Sequence, residues 1–311
     1  MPAYDMLHDR LPGFERVPAG LPLVVALTGF RDSGGVVRQV TDVLLDVDEQ
    51  ETVAAFDADV LIDYRARRPT VMFEGGVIEA ITMPALDLRL LRDELGAPFL
   101  FLSGHEPDYR WEQFCEEVAG IVAALGVSTT TWIHSMPMPV PHTRPIQLSA
   151  TGNRRELVDQ LSVWSPTTEA PAHVLHLLER RLADREHPTL GLVLLVPHYI
   201  AETPVPAAGI AALAAIGAAT SLMLPTEGLR ERDREFRRRV DEQMSESEEV
   251  QRLVAALEAQ HDAYLENANL GAGLAGPDGE LPSADDIAAE LEQFLRVKGE
   301  HDRGDDDRRR R

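Results

Sequence analysis

Three segments of the sequence hold residues whose types and spacing allow chemistry. The first is Thr28-Gly29-Phe30-Arg31-Asp32-Ser33-Gly34-Gly35, where an apolar run gives way to a helical pattern. A helix that opens on Ser33 and Gly34 offers free backbone N–H groups to an anion. The spacing matches neither GxGxxG nor the P-loop, which requires a lysine. Asp32, Ser33 and Gly34 therefore form either a ligand loop or a plain strand-to-helix turn capped by Asp32 or Ser33, and capping is the simpler reading. The second segment, Ser103-Gly104-His105-Glu106-Pro107-Asp108-Tyr109-Arg110-Trp111, follows another apolar run. His105 titrates near neutrality and, with Glu106, could move protons. Asp108 is the natural N-cap of the helix that follows. The third segment is Met136-Pro137-Met138-Pro139-Val140-Pro141-His142-Thr143-Arg144-Pro145. Its prolines fix an extended path. That path either presents His142 and Arg144 as a recognition pair, with arginine gripping a carboxylate, or serves as a crossover or subunit contact. His198 is expected near the same rim.

Other chemistries find little support. The histidines fall in no short metal-ligand spacing, and no GxSxG elbow occurs. Cys115, beside Phe114 in a helical pattern, reads as a small buried residue, not a nucleophile. The residues point to no metal and no cofactor.

The elements that must position these segments alternate along the chain. Leu23–Phe30, Val53–Phe56, Val71–Phe73, Val77–Thr82, Pro98–Leu102, Thr129–His134 and Gly191–Val196 read as strands, with Glu74-Gly75-Gly76 a hairpin turn. Leu86–Leu91 fits strand or helix equally. Gly34–Leu45, Trp111–Leu125, His173–Leu182 and Ala207–Leu222 read as helices. This alternation predicts a three-layer α/β/α fold around a mostly parallel, mixed sheet. The three segments then fall at carboxyl ends of strands, where open α/β sheets bind ligands.

Beyond Pro225 the density of charged residues roughly doubles. Phe236, Val240 and Met244 form one helical stripe, and Ser245 with Glu248 reads as a capping box that starts a second helix. Asn267–Pro282 reads as a linker. Ser283 should cap a short helix with Ile287, Leu291, Phe294 and Leu295 on one face, and 304–311 is a charged tail expected to be disordered. The expected organisation is an α/β domain over 1–225, a helical extension over 226–297 packed on it, and a tail over 298–311.

Composition bounds the function class. Acidic residues number 52 against 30 basic ones, for a formal net charge of -22. Phosphate backbones and anionic membrane surfaces repel such a chain, so neither nucleic acid nor membrane is an expected partner. The Ala-rich Val205–Leu224 run is too weakly apolar for a spanning helix. A single cysteine and no secretory signal pattern predict a cytoplasmic protein.

These segments and their order resemble the proteasome assembly chaperone 2 family, in its bacterial, GC-rich branch. The residues that carry the resemblance are Leu27-Thr28-Gly29-Phe30 with Asp32-Ser33-Gly34-Gly35, Leu88-Arg89-Leu90-Leu91-Arg92-Asp93, Ser103-Gly104-His105-Glu106-Pro107-Asp108 with Arg110-Trp111, and Pro137–Pro145. Val240-Asp241-Glu242-Gln243, Ser247-Glu248-Glu249-Val250 and Ala288–Leu295 continue it, so it covers about residues 5–297. The resemblance implies a fold similar to the phosphorylase/hydrolase-like class, self-association, and proteasome α-subunits as partners. The family's docking motif, a hydrophobic residue, a tyrosine and one last residue, is missing from Arg308-Arg309-Arg310-Arg311. That docking chemistry does not carry over. An ATP-grasp-like carboxylate–amine ligase label, also met in the family, finds no Gly-rich phosphate loop here and only one lysine, Lys298.

The expected function is thus a non-enzymatic, protein-binding, homo-oligomeric, chaperone-like one. The alternative is a small-ligand binder or enzyme using a rim formed by Asp32, Ser33, Gly34, His105, Glu106, His142 and Arg144.

Overall fold

The computed structural model describes residues 6–47, 49–163, 169–245 and 247–269. In chain order the elements are β1 (His8–Arg10), β2 (Pro22–Thr28), α1 (Val36–Leu45), β3 (Glu51–Phe56), α2 (Ala58–Leu61), β4 (Thr70–Glu74), β5 (Val77–Thr82), β6 (Leu86–Arg92), β7 (Pro98–His105), α3 (Trp111–Ala124), β8 (Thr129–Met138), β9 (Gln147–Gly152), α4 (Arg155–Leu161), α5 (Val174–Ala183), β10 (Thr189–Pro197), α6 (Pro206–Thr220), α7 (Glu227–Ser245) and α8 (Glu248–Asn269).

Eight strands form one mixed sheet in the order β1-β3-β6-β7-β2-β8-β10-β9. Its centre, β7-β2-β8-β10, is parallel, and antiparallel strands flank it on both sides. Both faces of this centre are covered, so its strands are near-continuous apolar runs. On β2, Val24 and Ala26 face one core while Leu23, Val25 and Leu27 face the other. The first core lies under α1 and α6, the second under α3 and α5. These are the three expected layers. Leu86–Leu91, ambiguous by pattern, is strand because it pairs with β7 from Leu86↔Gly104 to Arg92↔Pro98.

The Ala-rich α6 is a buried helix. Ala208, Ala212 and Ile216 are fully buried, and Gly209 lets Gln39 and Leu229 approach closely. No described helix is long and apolar enough to cross a membrane.

The first compact unit runs to Glu258, past the charge step at Pro225. The reason is packing: Leu229 on α7 is fully buried in the α1/α6 core, with Phe236 and Met244 against it. The second unit begins at Ala259, and its described part continues α8 to Asn269. Ser245 is the last residue of α7. Ser247, not Ser245, caps α8: Val250 N–H donates to its Oγ at 3.5 Å. Asn267–Asn269, expected in a linker, are helical, and the rest of that linker, the helix after Ser283 and the tail lie outside the described residues.

Val71–Phe73 and Val77–Thr82 are strands joined by the expected turn, but they stay out of the main sheet. β4 and β5 pair only with each other, as a separate two-stranded ribbon.

Candidate functional site

β2, β7, β8 and β10 end at Thr28, His105, Met138 and Pro197; His105 is itself such an end, and the other six candidate residues follow the ends of β2, β7 and β8. They divide into three groups, each bonded to its own set of partners.

The first group closes the start of α1. Asp32 forms a parallel bridge with Ser135. Its carboxylate accepts the N–H groups of Val37 (2.8 Å) and Arg38 (3.1 Å) and the Ser135 hydroxyl (3.2 Å). The anion-attracting end of α1 is therefore filled by the chain's own carboxylate, although the N-cap position itself is held by Gly35, not by Asp32 or Ser33. Gly34 adopts φ +67°, and its N–H donates to Ala201 O at 2.6 Å. A Cβ at Gly34 would press on Val196 and Val205 at 3.1–3.3 Å. Ser33 is buried. Beside this turn, Arg31, Asp32, Ser33, Pro137, Ala201 and Glu202 line a polar cleft of about 360 Å3. Replacing Asp32 with alanine frees two N–H groups and should cost about 1–2 kcal/mol. Urea unfolding would show this as a lowered midpoint with unchanged slope.

The second group surrounds Glu106. Thr28 Oγ1 lies 3.2 Å from Gly104 O, to which it donates, and 3.0 Å from His105 Nδ1. Burial, then the nearby Arg67 guanidinium, holds His105 below its ordinary pKa. Glu106 is buried; its Oε1 accepts Val174 N–H at 2.7 Å, and desolvation raises its pKa. Asp108 does not cap α3. Its carboxylate binds Arg67 and accepts Asp63 N–H at 2.8 Å, tying down the loop before β4, while α3 starts from Arg110 in the left-handed region, φ 58°.

Sequence reasoning missed the rings behind Glu106. His134 and His173 are buried, their centroids 5.1 Å apart, and Phe30 covers both at 5.3 and 6.0 Å. Desolvation pushes His134 down to about 4 and His173 down to about 3. The signal was present at His173 and His176, which start a helix at the i, i+3 spacing of a capping box. A box usually uses Ser or Thr with Glu or Gln, so histidines did not register.

The third group binds carboxylates, but those of its own chain. Tyr199 O–H lies 2.6 Å from His142 Nδ1, and the Tyr199 oxygen accepts His142 N–H at 2.7 Å. His142 Nε2 lies 3.4 Å from Asp241 on α7. Arg144 reaches Glu258 on α8 at 3.1 Å, and the Thr143 hydroxyl donates to the same carboxylate. His198 lies nearby, its Nδ1 3.3 Å from Met138 O. The proline-rich segment thus ties α7 and the first part of α8 to the rim.

Among the described residues, no cluster of His, Cys, Asp or Glu is arranged to hold a metal ion. Cys115 is fully buried, and desolvation pushes its thiol up to about 12, as a packing role requires.

No curated protein matches the chain. Among solved structures, a Corynebacterium glutamicum protein of unknown function is 36% identical, covering 85% of this chain and 99% of its own, with a TM-score of 0.81. A Mycobacterium tuberculosis protein of unknown function is 37% identical, covering 86% and 92%, with a TM-score of 0.78. A Mycobacterium tuberculosis proteasome-assembly chaperone homologue is 23% identical, covering 75% and 100%, with a TM-score of 0.69, a likeness of fold. The PAC2 family model matches residues 26–244, a span that runs from within β2 to the last turn of α7 and takes in all seven candidate residues, and the chain belongs to the PAC2 family.

Proposed function

We propose that this protein acts by binding proteins, a second copy of itself first, and carries out no reaction of its own. The β4–β5 ribbon supports this reading. Every residue of both strands is exposed. Val71 pairs with Ile81 and Phe73 with Ile78, so four large apolar side chains share one face. The other face carries the Thr70–Thr82 and Met72–Ala80 pairs. Phe73 is 68% exposed. An isolated two-stranded ribbon is marginal in water, and an exposed apolar patch with free strand edges marks an interaction surface. A second copy suits it, because each copy brings the same apolar face and the same free edges. Proteasome α-subunits are the further partner class, by analogy with the chaperone homologue that shares the fold, and the cytoplasm is the proposed setting. The second reading, a small polar ligand, draws on the cleft beside Asp32 and Ser33.

Native mass spectrometry of the protein, alone and co-expressed with proteasome α-subunits of its own genome, tests this. A discrete homo-oligomer is expected, and a mixed complex on co-expression. The double variant Phe73→Asp/Ile81→Asp should raise the dissociation constant about a thousandfold or more, since each buried side chain contributes roughly 1.5–3 kcal/mol. Its circular dichroism should be unchanged. A wild-type monomer at micromolar concentration would remove the self-association reading.

A further inference from the structure

Every side-chain acceptor at the first turn of α5 can take up a proton, while the His176 N–H donates to the His173 carbonyl at 3.0 Å. Leu175 N–H donates to His173 Nδ1 at 3.1 Å. His173 N–H donates to His176 Nδ1 at 3.0 Å. Val174 N–H donates to Glu106 Oε1. The two histidines form a reciprocal capping box. In such a box the acceptors are normally hydroxyl and carboxylate or amide oxygens. Here they are imidazole lone pairs, and a neutral imidazole has only one. Because Nδ1 accepts in each ring, the ring proton sits on Nε2, and the next proton must go to Nδ1. That proton would face an N–H group, so capping and protonation exclude each other. An imidazolium at a helix N-terminus also opposes the helix dipole.

We propose that the start of α5 is an acid-sensitive latch: protonation of His173 or His176 uncaps the helix and frees it from the rim at Glu106.

The surroundings favour this. His173 is fully buried between Phe30 and His134, with Nε2 unpartnered and Glu106 Oε2 4.0 Å away. The Leu27 carbonyl faces the ring from β2 without reaching hydrogen-bond geometry. His134 on β8 has its own Nδ1 buried and unpartnered. Burial outweighs the Leu27 carbonyl and keeps His173 neutral at ordinary pH. His176 is exposed, its ring edge-on to Trp132 at 5.0 Å, and offers solvent a way in. The other ionisable groups around the turn are His105 at the end of β7 and Glu106 after it, Arg67 paired with Asp108, Glu179 on α5, and the Cys115 thiol on α3, 3.8 Å from Val174 O and neutral throughout.

The sign follows from linkage. A histidine that is neutral in the latched state and free to titrate when released supports the latch fully above its free pKa, near 6.5. That support is lost as pH falls from there toward the depressed value, about 3 for His173. Glu106 works the other way. Its pKa is raised, so its contribution is full below the ordinary carboxylate range and declines as pH rises through the raised value. The histidines must therefore supply any acid release.

Hydrogen exchange of the full-length protein between pH 7.5 and 4.5, corrected for intrinsic rates, tests the latch. Protection at the start of α5 should fall about tenfold per pH unit below 6.5 for each histidine that must stay neutral. The amides of β10 should hold. His173→Asn with His176→Gln keeps both caps in forms that do not titrate, and should flatten the slope. If that pair fails to fold, His176→Gln alone must still reduce it. Glu106→Gln should leave the slope in place. An unchanged slope in the histidine variants, equal loss across β10, or abolition of the slope by Glu106→Gln would each overturn the proposal.

Discussion

Gly104→Ala is expected to cut the yield of folded protein sharply and to lower its urea midpoint more than any other single change. Gly104 is the seventh residue of β7 and pairs with Leu86. Its φ is +144°, a region L-residues rarely enter. A Cβ there would lie 2.1 Å from Ala85 O and 2.7 Å from Leu86 Cα. Both atoms are backbone, so no side-chain rotation relieves the overlap. Relief requires parting β6 from β7 where the chain turns into His105 and Glu106. The cost should exceed about 4 kcal/mol, against a total stability of about 5–15 kcal/mol for a typical domain. Gly120→Ala is the contrast. It is an exposed position in α3 with nothing within 4 Å of its Cβ, and the change should stabilise by about 0.5–1 kcal/mol. Soluble yield and urea midpoints of the two variants should move in opposite directions. Equal midpoints would refute the account of Gly104.

Trp132→Ala should be the next most damaging change. Trp132 is 1% exposed, and its indole fills the space that Gly191 leaves on the adjacent strand: a Cβ there would sit 2.4 Å from the ring. Removing a buried aromatic costs about 3–5 kcal/mol. The indole also serves a polar group. Its Nε1–H donates to Glu179 Oε2 at 2.8 Å, beside the Thr151 hydroxyl at 2.9 Å. Burial raises the pKa of Glu179, while these two donors hold it down. With its folded-state pKa raised, Glu179 contributes fully to stability below the ordinary carboxylate range, and loses that contribution as pH rises through the raised value. Trp132→Phe keeps most of the ring but deletes one donor to the charged form. Its penalty, about 1–3 kcal/mol, should therefore be larger at pH 7 than at pH 4. Urea titrations at the two pH values would show it, and a pH-independent penalty would contradict the role given to Nε1–H.

The legible parts of the fold are those where one chain segment carries its own signal. β2, β7, β8 and β10 read as strands because both faces are buried and the run is apolar throughout. α1, α3 and α5 read as helices because one stripe is apolar. β9 escaped notice, since Gln147–Gly152 is a half-polar edge strand whose identity comes from its partner β10. The β4–β5 ribbon was read as strand correctly, yet its sequence does not reveal whether anything covers it. Val, Ile and Phe favour strands in either setting. At the rim, Asp32 was legible because an acid before a helix has a short list of tasks. Asp108 had a stronger pull than the helix end, namely Arg67, some forty residues upstream in sequence, and local pattern carries no trace of that. His142 and Arg144 were expected on an extended path but lie in a turn and a bend, and their partners Tyr199, Asp241 and Glu258 come from distant segments. The His134–His173 pair was invisible for the same reason, being made where a strand meets a helix N-terminus.

The sheet order gives the exposed ribbon a further meaning. β3 and β6 are antiparallel neighbours, so the chain leaves the sheet at Phe56 and re-enters at Leu86 close to where it left. The excursion between them is a detour whose outer part no strand of the main sheet needs for its register. Shape and company can then change on separate schedules. Under the proposed docking role, substitutions in Thr70–Thr82 would change what the molecule meets and leave the register of the main sheet untouched.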